Sequence, residues 1–490
     1  MRHSLAVYAA GLIGVVLYPV RVCAQAPPQP VSGHAADPGV AKYEELAGAC
    51  PPGIASDALL RLVELAPAEK ASWKLAAVRR AFDLARSAEP RYSTRAVPVG
   101  FTDTVPAMSS ISSKAVQVDS LSLQLRAVRA MLAYDSARSR DMFESILNPE
   151  PPALTCKDLT VPDTRLYYEV LRAVGERSFA PSEIQKGNQE AFLANRALQI
   201  TSPLQVFPVV GLLSEIRISA PARAQLVSAF AAALADIRGD DRSFVMGFLE
   251  DDSVGQLRTL VQRCQASGIS LVAVVDALAK FYARQLAAKH CADTAQSEAL
   301  QARLSKAVEG FNRIAQNYLP NHARLAAPPS GGPYDEPTVA TDLWQKSLDY
   351  RTYLKRIEKS DGLSRDEAEE LIHAIDSWSA PDGMGPREFF IIKSIVLQRA
   401  LRDLTKDDHG YQVASEAYVR FLDSSVDERD GEAAVWLHSL LQTLKATHRH
   451  GAGRAEIMIS ALERSKNPAL NLYAGLDRRV TALAAGKLNP

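Results

Sequence analysis

Apolar residues recur at spacings of three and four along most of this chain, the period of a helix with one buried face. The clearest case lies at 119–147. Leu121, Leu125, Val128 and Leu132 follow one another at four, three and four, and Asp119 stands where it can cap the helix they define. Asp135 and Ser136 break and restart the chain, and Met142, Phe143 and Ile146 supply a second, shorter stripe, so the segment predicts a helical hairpin. Farther on, Pro221 suits the first turn of a helix capped by Ser219, with Leu226, Phe230, Ala233 and Ile237 on its apolar side. Ser270 opens another, along which Leu271, Val275, Leu278 and Tyr282 align. Strand-like passages are short and isolated. The pattern predicts an all-α fold, an irregular α-solenoid or multi-helix bundle of antiparallel helix pairs, because a helix with one apolar face must bury it on neighbours.

Proline and glycine punctuate these stripes. The run AAPPSGGPYDEP at 326–337 marks a linker, taken as 326–341, between an N-terminal helical block at 41–325 and a C-terminal one at 342–490. The second block opens with Leu343, Trp344, Leu348 and Leu354. Ser364 and Glu367 then form a capping box, and Pro386 starts a strongly apolar helix through Phe389, Phe390, Ile392, Ile395, Val396 and Leu401, the expected centre of that block. Residues 92–118 carry Pro98, Gly100, Pro106 and many Ser and Thr without a helical period, which predicts a long loop.

The amino terminus has a different pattern. Arg2 and His3 precede an uncharged run from Leu5 to Val20, and Val22-Cys23-Ala24 offers small or aliphatic residues at the −3 and −1 positions of a signal-peptidase cut. Residues 1–24 therefore read as a signal peptide cleaved after Ala24, followed by a flexible, proline-rich leader at 25–40, and the protein is expected in the periplasm or outside the cell. The apolar run is shorter than the ~20 residues of a spanning helix, so no stable membrane span is expected. Cys23 lacks the small preceding residue that lipid attachment wants, since Arg21 and Val22 stand there.

Export changes how charge and cysteine are read. The chain has 56 Lys+Arg and 56 Asp+Glu; the leader carries Arg2 and Arg21 and no acid, so the mature chain is 54 against 56, net −2. Such a balance argues against nucleic acid as a partner. Four cysteines remain after cleavage, and an oxidising compartment permits pairing. Cys50 and Cys156 both sit in proline-marked loops, whereas Cys264 continues the stripe of Val254, Leu257 and Val261 and reads as a buried thiol. A continuous helix from Ser270 would place Cys291 ~30 Å from the turn beside Cys264, far beyond disulfide reach. Cys50–Cys156 is thus the favoured disulfide, with unpaired thiols as the alternative.

No catalytic, cofactor or metal residue is assigned. Gly451-Ala452-Gly453 lacks the third glycine of a phosphate loop, and no Gly-x-Ser-x-Gly elbow or His-Glu-x-x-His pair occurs. A calcium-like order of Asp376, Asp382 and Glu388 fails in register, because Trp378, Ala380 and Arg387 fall at ligand positions. His448-Arg449-His450 and His290-Cys291 lack a second ligand pair, and acidic runs such as Glu250-Asp251-Asp252 and Asp407-Asp408 read as caps or solvated helix ends.

The stretch from Asp119 to Val128, followed by Asp135 to Phe143, resembles the helix pairs of uncharacterised secreted bacterial α-helical proteins and, more loosely, tetratricopeptide-like arrays. The resemblance is confined to about 119–147, and no 34-residue period persists along the chain. The resemblance implies an irregular solenoid or bundle and, by analogy, a protein-binding surface. The expected function is an exported non-enzymatic scaffold for protein or peptide partners. The alternative is an exported all-α hydrolase or lyase acting on cell-wall or polysaccharide material, although the C-terminal block offers no Glu-Ser motif of a lysozyme-like domain.

Overall fold

In the computed structural model the stripe at 121–128 is the buried face of a helix, and the same relation holds along the chain. The structure describes residues 38–66, 71–96, 118–156, 158, 160–240, 242–248, 253–288, 291, 298–321, 323–327, 348–359, 363–405, 407–425 and 432–484. The expected signal peptide, most of the leader, residues 97–117 of the long loop and most of the linker lie outside them. Among the described residues are 21 α-helices, making the fold all-α. None of those helices is long and apolar enough to cross a membrane.

The first helices are α1 (Pro38–Gly48), α2 (Pro52–Leu65) and α3 (Ala71–Ala85). A short strand β1 (Thr94–Ala96) precedes the expected hairpin of α4 (Ser120–Met131) and α5 (Ser136–Glu144). Asp119 and Asp135 cap these two, each carboxylate accepting a backbone N–H at 2.9 Å, from Ser122 and Arg138 respectively. Ser139 then ties the pair by donating to the Val128 carbonyl at 2.9 Å. Strand β2 (Thr160–Pro162) pairs antiparallel with β1, Thr94 opposite Pro162. The loop expected at 92–118 therefore begins with a strand. Three residues are too few to carry a period, and their order comes from a partner more than sixty residues away.

Next come α6 (Arg165–Arg177), α7 (Pro181–Gln185), α8 (Asn188–Ala197), α9 (Val206–Glu215) and α10 (Ala220–Ala233). Ser219 caps α10 and Pro221 sits in its first turn. Leu226, Phe230 and Ile237 are buried, while Ala233 is half-buried and its neighbour Leu234, just past the helix end, is fully buried. Then follow α11 (Ser243–Phe248), α12 (Ser253–Ala266), α13 (Val272–Leu286) and α14 (Glu298–Gln316). Leu271, Val275, Leu278 and Tyr282 are all at most 2% exposed.

The remaining helices are α15 (Leu348–Glu358), α16 (Arg365–Ser377), α17 (Pro386–Asp403), α18 (Asp408–Ser424), α19 (Glu432–Arg449), α20 (Ala452–Glu463) and α21 (Pro468–Ala484). The Ser364–Glu367 capping box forms at the start of α16. Helix α17 is central, packing on α15, α16, α18 and α19. Lys393 on it is buried, yet its ammonium donates to the Asp376 and Trp378 carbonyls at 2.7 Å each and so closes the C-terminal end of α16. The helices on both sides of residues 328–347 belong to one compact unit, Asp37–Pro490. The reason is that α21 packs on α1 and α2, and α19 on α2, bringing the end of the chain back to its beginning.

A buried ionic cluster fastens that return. Asp57 of α2 is fully buried and meets Arg61 at 2.6 Å and Arg126 of α4 at 2.5 Å, while Tyr473 of α21 donates its hydroxyl to the same carboxylate. Burial alone would raise the Asp57 carboxyl, but the Arg126 and Arg61 charges and the hydrogen bonds outweigh it and hold the group down at about 2.

Asp119 shows the opposite balance. Only 1% exposed, it is pushed up to about 6 by burial, which the Ser122 hydrogen bonds only partly offset. The folded state therefore keeps a proton that the unfolded chain releases near its ordinary 3.8. Stability from this group is present at acid pH and declines as pH rises from about 4 through about 6. Asp119→Asn retains an acceptor for the Ser122 N–H and removes the titration, so urea midpoints measured across that window should lose this downward slope. An unchanged slope in the variant would refute the assignment.

Candidate functional site

Helices α15 and α19 both pack on α17, and a cleft of about 590 Å³ runs along the three. Its lining follows helical faces. Phe390, Ile391, Ser394, Ile395, Gln398 and Arg402 come from α17; Val435, Ser439, Gln442 and Ala446 from α19; and Tyr350, Leu354 and Glu358 from α15. The α17 face from Phe390 to Arg402 spans ~18 Å at 1.5 Å per residue. The cleft is thus elongated, with apolar walls and polar groups at regular helical steps.

Its polar floor is largely self-satisfied. The Ser439 hydroxyl is bonded to Ser394, to the Tyr418 hydroxyl at 2.6 Å and to the Gln398 amide at 3.1 Å. Thr443 donates to Tyr418 at 3.0 Å, and burial raises the Tyr418 phenol. A serine hydroxyl engaged this way is a structural link rather than a poised nucleophile. Two other lining groups are unsatisfied. His438 is 6% exposed and its Nδ1 has no hydrogen-bond partner; Tyr411 of α18 is 1% exposed and its hydroxyl has none. Burial lowers the His438 imidazole, keeping it neutral at neutral pH, and pushes the Tyr411 phenol up to about 12 against the nearby Arg454 charge. Both atoms are sealed from solvent, so their cost of ~1–3 kcal/mol each is carried within the packing beneath the cleft.

The charge of the cleft is one-sided. Arg351, Lys355, Arg399 and Arg402 line it against the single carboxylate of Glu358. Asp403, just outside the lining, pairs with Arg402 at 2.6 Å and Arg399 at 3.5 Å. Lys355 is exposed and makes no ion pair with any described residue.

The favoured Cys50–Cys156 disulfide is corrected. Cys156 is bonded to Cys291, with Cα atoms 5.3 Å apart, while Cys50 and Cys264 are free. Helix α13 ends at Leu286, and the chain beyond it brings Cys291 to the Cys156 segment. Arg242 holds that segment through the Thr155 and Cys156 carbonyls at 3.2 and 2.8 Å. Cys50 instead lies two residues past the end of α1, where its thiol donates to the Leu46 carbonyl at 3.1 Å and burial pushes it up to about 12. Proline-marked loops indicated exposure, not proximity. Cys264 is a fully buried thiol.

Other residues considered from the sequence disperse. His448 pairs with Asp477 at 2.7 Å, while His450 lines the cleft. Asp376 binds Arg420 at 2.9 Å, and Asp407 caps α18 through the Gly410 N–H at 2.7 Å. His290 and Glu250-Asp251-Asp252 lie outside the described residues. Among the described residues no three His, Cys, Asp or Glu side chains gather as a metal site would require. Sequence reasoning passed over His438, Ser439 and Tyr411; the available signal was the run of polar residues at helical spacing along α19. No protein-family model, curated protein or solved structure matches the chain.

Proposed function

We propose that the protein is an exported, non-enzymatic helical scaffold that binds a protein or peptide partner, and that the cleft between α15, α17 and α19 is the seat of that partner. The observation that carries the reading is the cleft's ~18 Å run along the α17 face, with apolar walls completed by α15 and α19. Peptide recognition uses such grooves, in which apolar pockets give affinity and spaced polar groups give register. The Cys156–Cys291 disulfide supports export, because such bonds persist in oxidising compartments.

The test pairs the mature chain, residues 25–490, with an Ala446→Trp variant. Ala446 is half-buried on the α19 lining, so the indole fills the groove while leaving the Ser439 network in place. A partner retained from an extract of the exporting cell by the mature chain should be lost at least tenfold by the variant, with the circular dichroism unchanged. Turnover of peptidoglycan or a polysaccharide, abolished by one Asp, Glu or His substitution and with no partner recovered, would overturn the scaffold reading in favour of an all-α hydrolase or lyase.

A further inference from the structure

We propose that the occupant of the cleft is a short, extended, acidic segment of the partner, about five residues long, with carboxylates and apolar side chains in alternation. This rests on the cleft being a peptide seat and names the chemistry it selects. Length comes first. At ~3.3 Å per residue an extended strand covers ~18 Å in five to six residues, and the volume of about 590 Å³ lies within the range of ligand clefts. A compact small molecule would leave much of that length empty.

Charge is the second argument. Among the described residues, Lys355, Arg399 and Arg402 stand against Glu358 and Asp403, three cations to two carboxylates, so the described lining is positive by one before Arg351 is counted. Lys355 on α15 and Arg402 on α17 are both exposed, so they can meet carboxylates without first being desolvated. The third argument is the polar lining: Gln442 is exposed in the cleft, and its side-chain amide can pair with the N–H and C=O groups that an extended backbone carries. Apolar side chains of the segment would meet Leu354, Phe390, Ile391, Ile395 and Val435. Cations select the acid, neutral polar atoms select the backbone, and the apolar walls select the alternate side chains.

The experiment is fluorescence anisotropy with the full mature chain and three five-residue peptides bearing a neutral fluorophore. They alternate Leu with Glu, with Gln or with Lys. The Glu peptide should bind at least tenfold more tightly than the Gln peptide and weaken as salt is raised, and the Lys peptide should bind least. In Lys355→Glu/Arg402→Glu, both changes at exposed positions, the Glu peptide should lose at least tenfold while the Lys peptide gains. Equal binding of the three peptides, all abolished by Ala446→Trp, would overturn the acidic class and leave the cleft a peptide seat. No binding by any of them to a normally folded chain would overturn this proposal, and the partner-retention comparison above then decides the scaffold reading separately. Equal loss of all three peptides in the double variant would also overturn it, since charge would then have no role.

Discussion

Asp57→Ala should lower the unfolding free energy by ~3–5 kcal/mol in urea denaturation, because it removes the anion and leaves its cations in place. Arg126 has only 15% of its side chain exposed and Arg61 34%, so Arg61 can turn toward water while Arg126 is held. Tyr473 also loses its acceptor. Tyr473→Phe removes one hydrogen bond and no charge, so it should cost ~1 kcal/mol. The ordering of the two variants tests whether charge or packing governs this junction. The pH dependence supplies a sign. With the folded carboxyl near 2 and its ordinary value 3.8, this stabilisation is complete above about 4 and disappears as pH falls toward 2. That window lies below the one assigned to Asp119, so the two groups are separable in one titration series. A cost under 1 kcal/mol for Asp57→Ala, with an unaltered acid limb, would refute the cluster's role. Hydrogen exchange locates the effect: amides of α21 should lose protection first, since that helix returns to α2 at this carboxylate.

How much of this was legible follows from distance along the chain. Residues three or four apart declare a helix locally, so the stripes at 121–132 and 271–282 and the caps Asp119, Ser219 and Ser364 could be read directly. Asp57 and Arg61 are also local neighbours, yet Arg126 lies 69 residues from Asp57 and Tyr473 lies 416. Nothing in the helical period encodes those meetings. The cleft was hidden for a related reason. His438, Ser439 and Thr443 look like ordinary polar positions of an amphipathic helix, and it is the packing of neighbouring helices, α17 and α18 among them, that buries them. Charge followed the same rule: the whole sequence balances 56 Lys+Arg against 56 Asp+Glu, while α15 and α17 together bring four cations to the lining of one cleft.

The disulfide yields the other large effect. Cys156→Ser/Cys291→Ser should lower stability by ~2–5 kcal/mol, because the bond closes a loop across a separation of 135 residues and so restricts the unfolded chain. The span it bridges is also structurally committed. Arg242, itself 1% exposed, holds the Cys156 end, and α6 to α13 lie within the loop. Losing the crosslink should therefore loosen the end of α13 and the approach to β2 before the C-terminal helices respond. Reductant supplies a control that needs no mutation. The wild-type urea midpoint should fall under reducing conditions, and the double serine variant should no longer respond. Cys50→Ser should respond like wild type, because Cys50 is already a free thiol bonded to the Leu46 carbonyl. A non-reduced peptide map that links Cys50 to Cys156, or a wild-type midpoint indifferent to reductant, would refute the assigned pairing. The buried thiol of Cys264 makes the comparison sharper: reductant cannot act on it, so a shift seen in wild type and absent from the double variant belongs to Cys156–Cys291 alone.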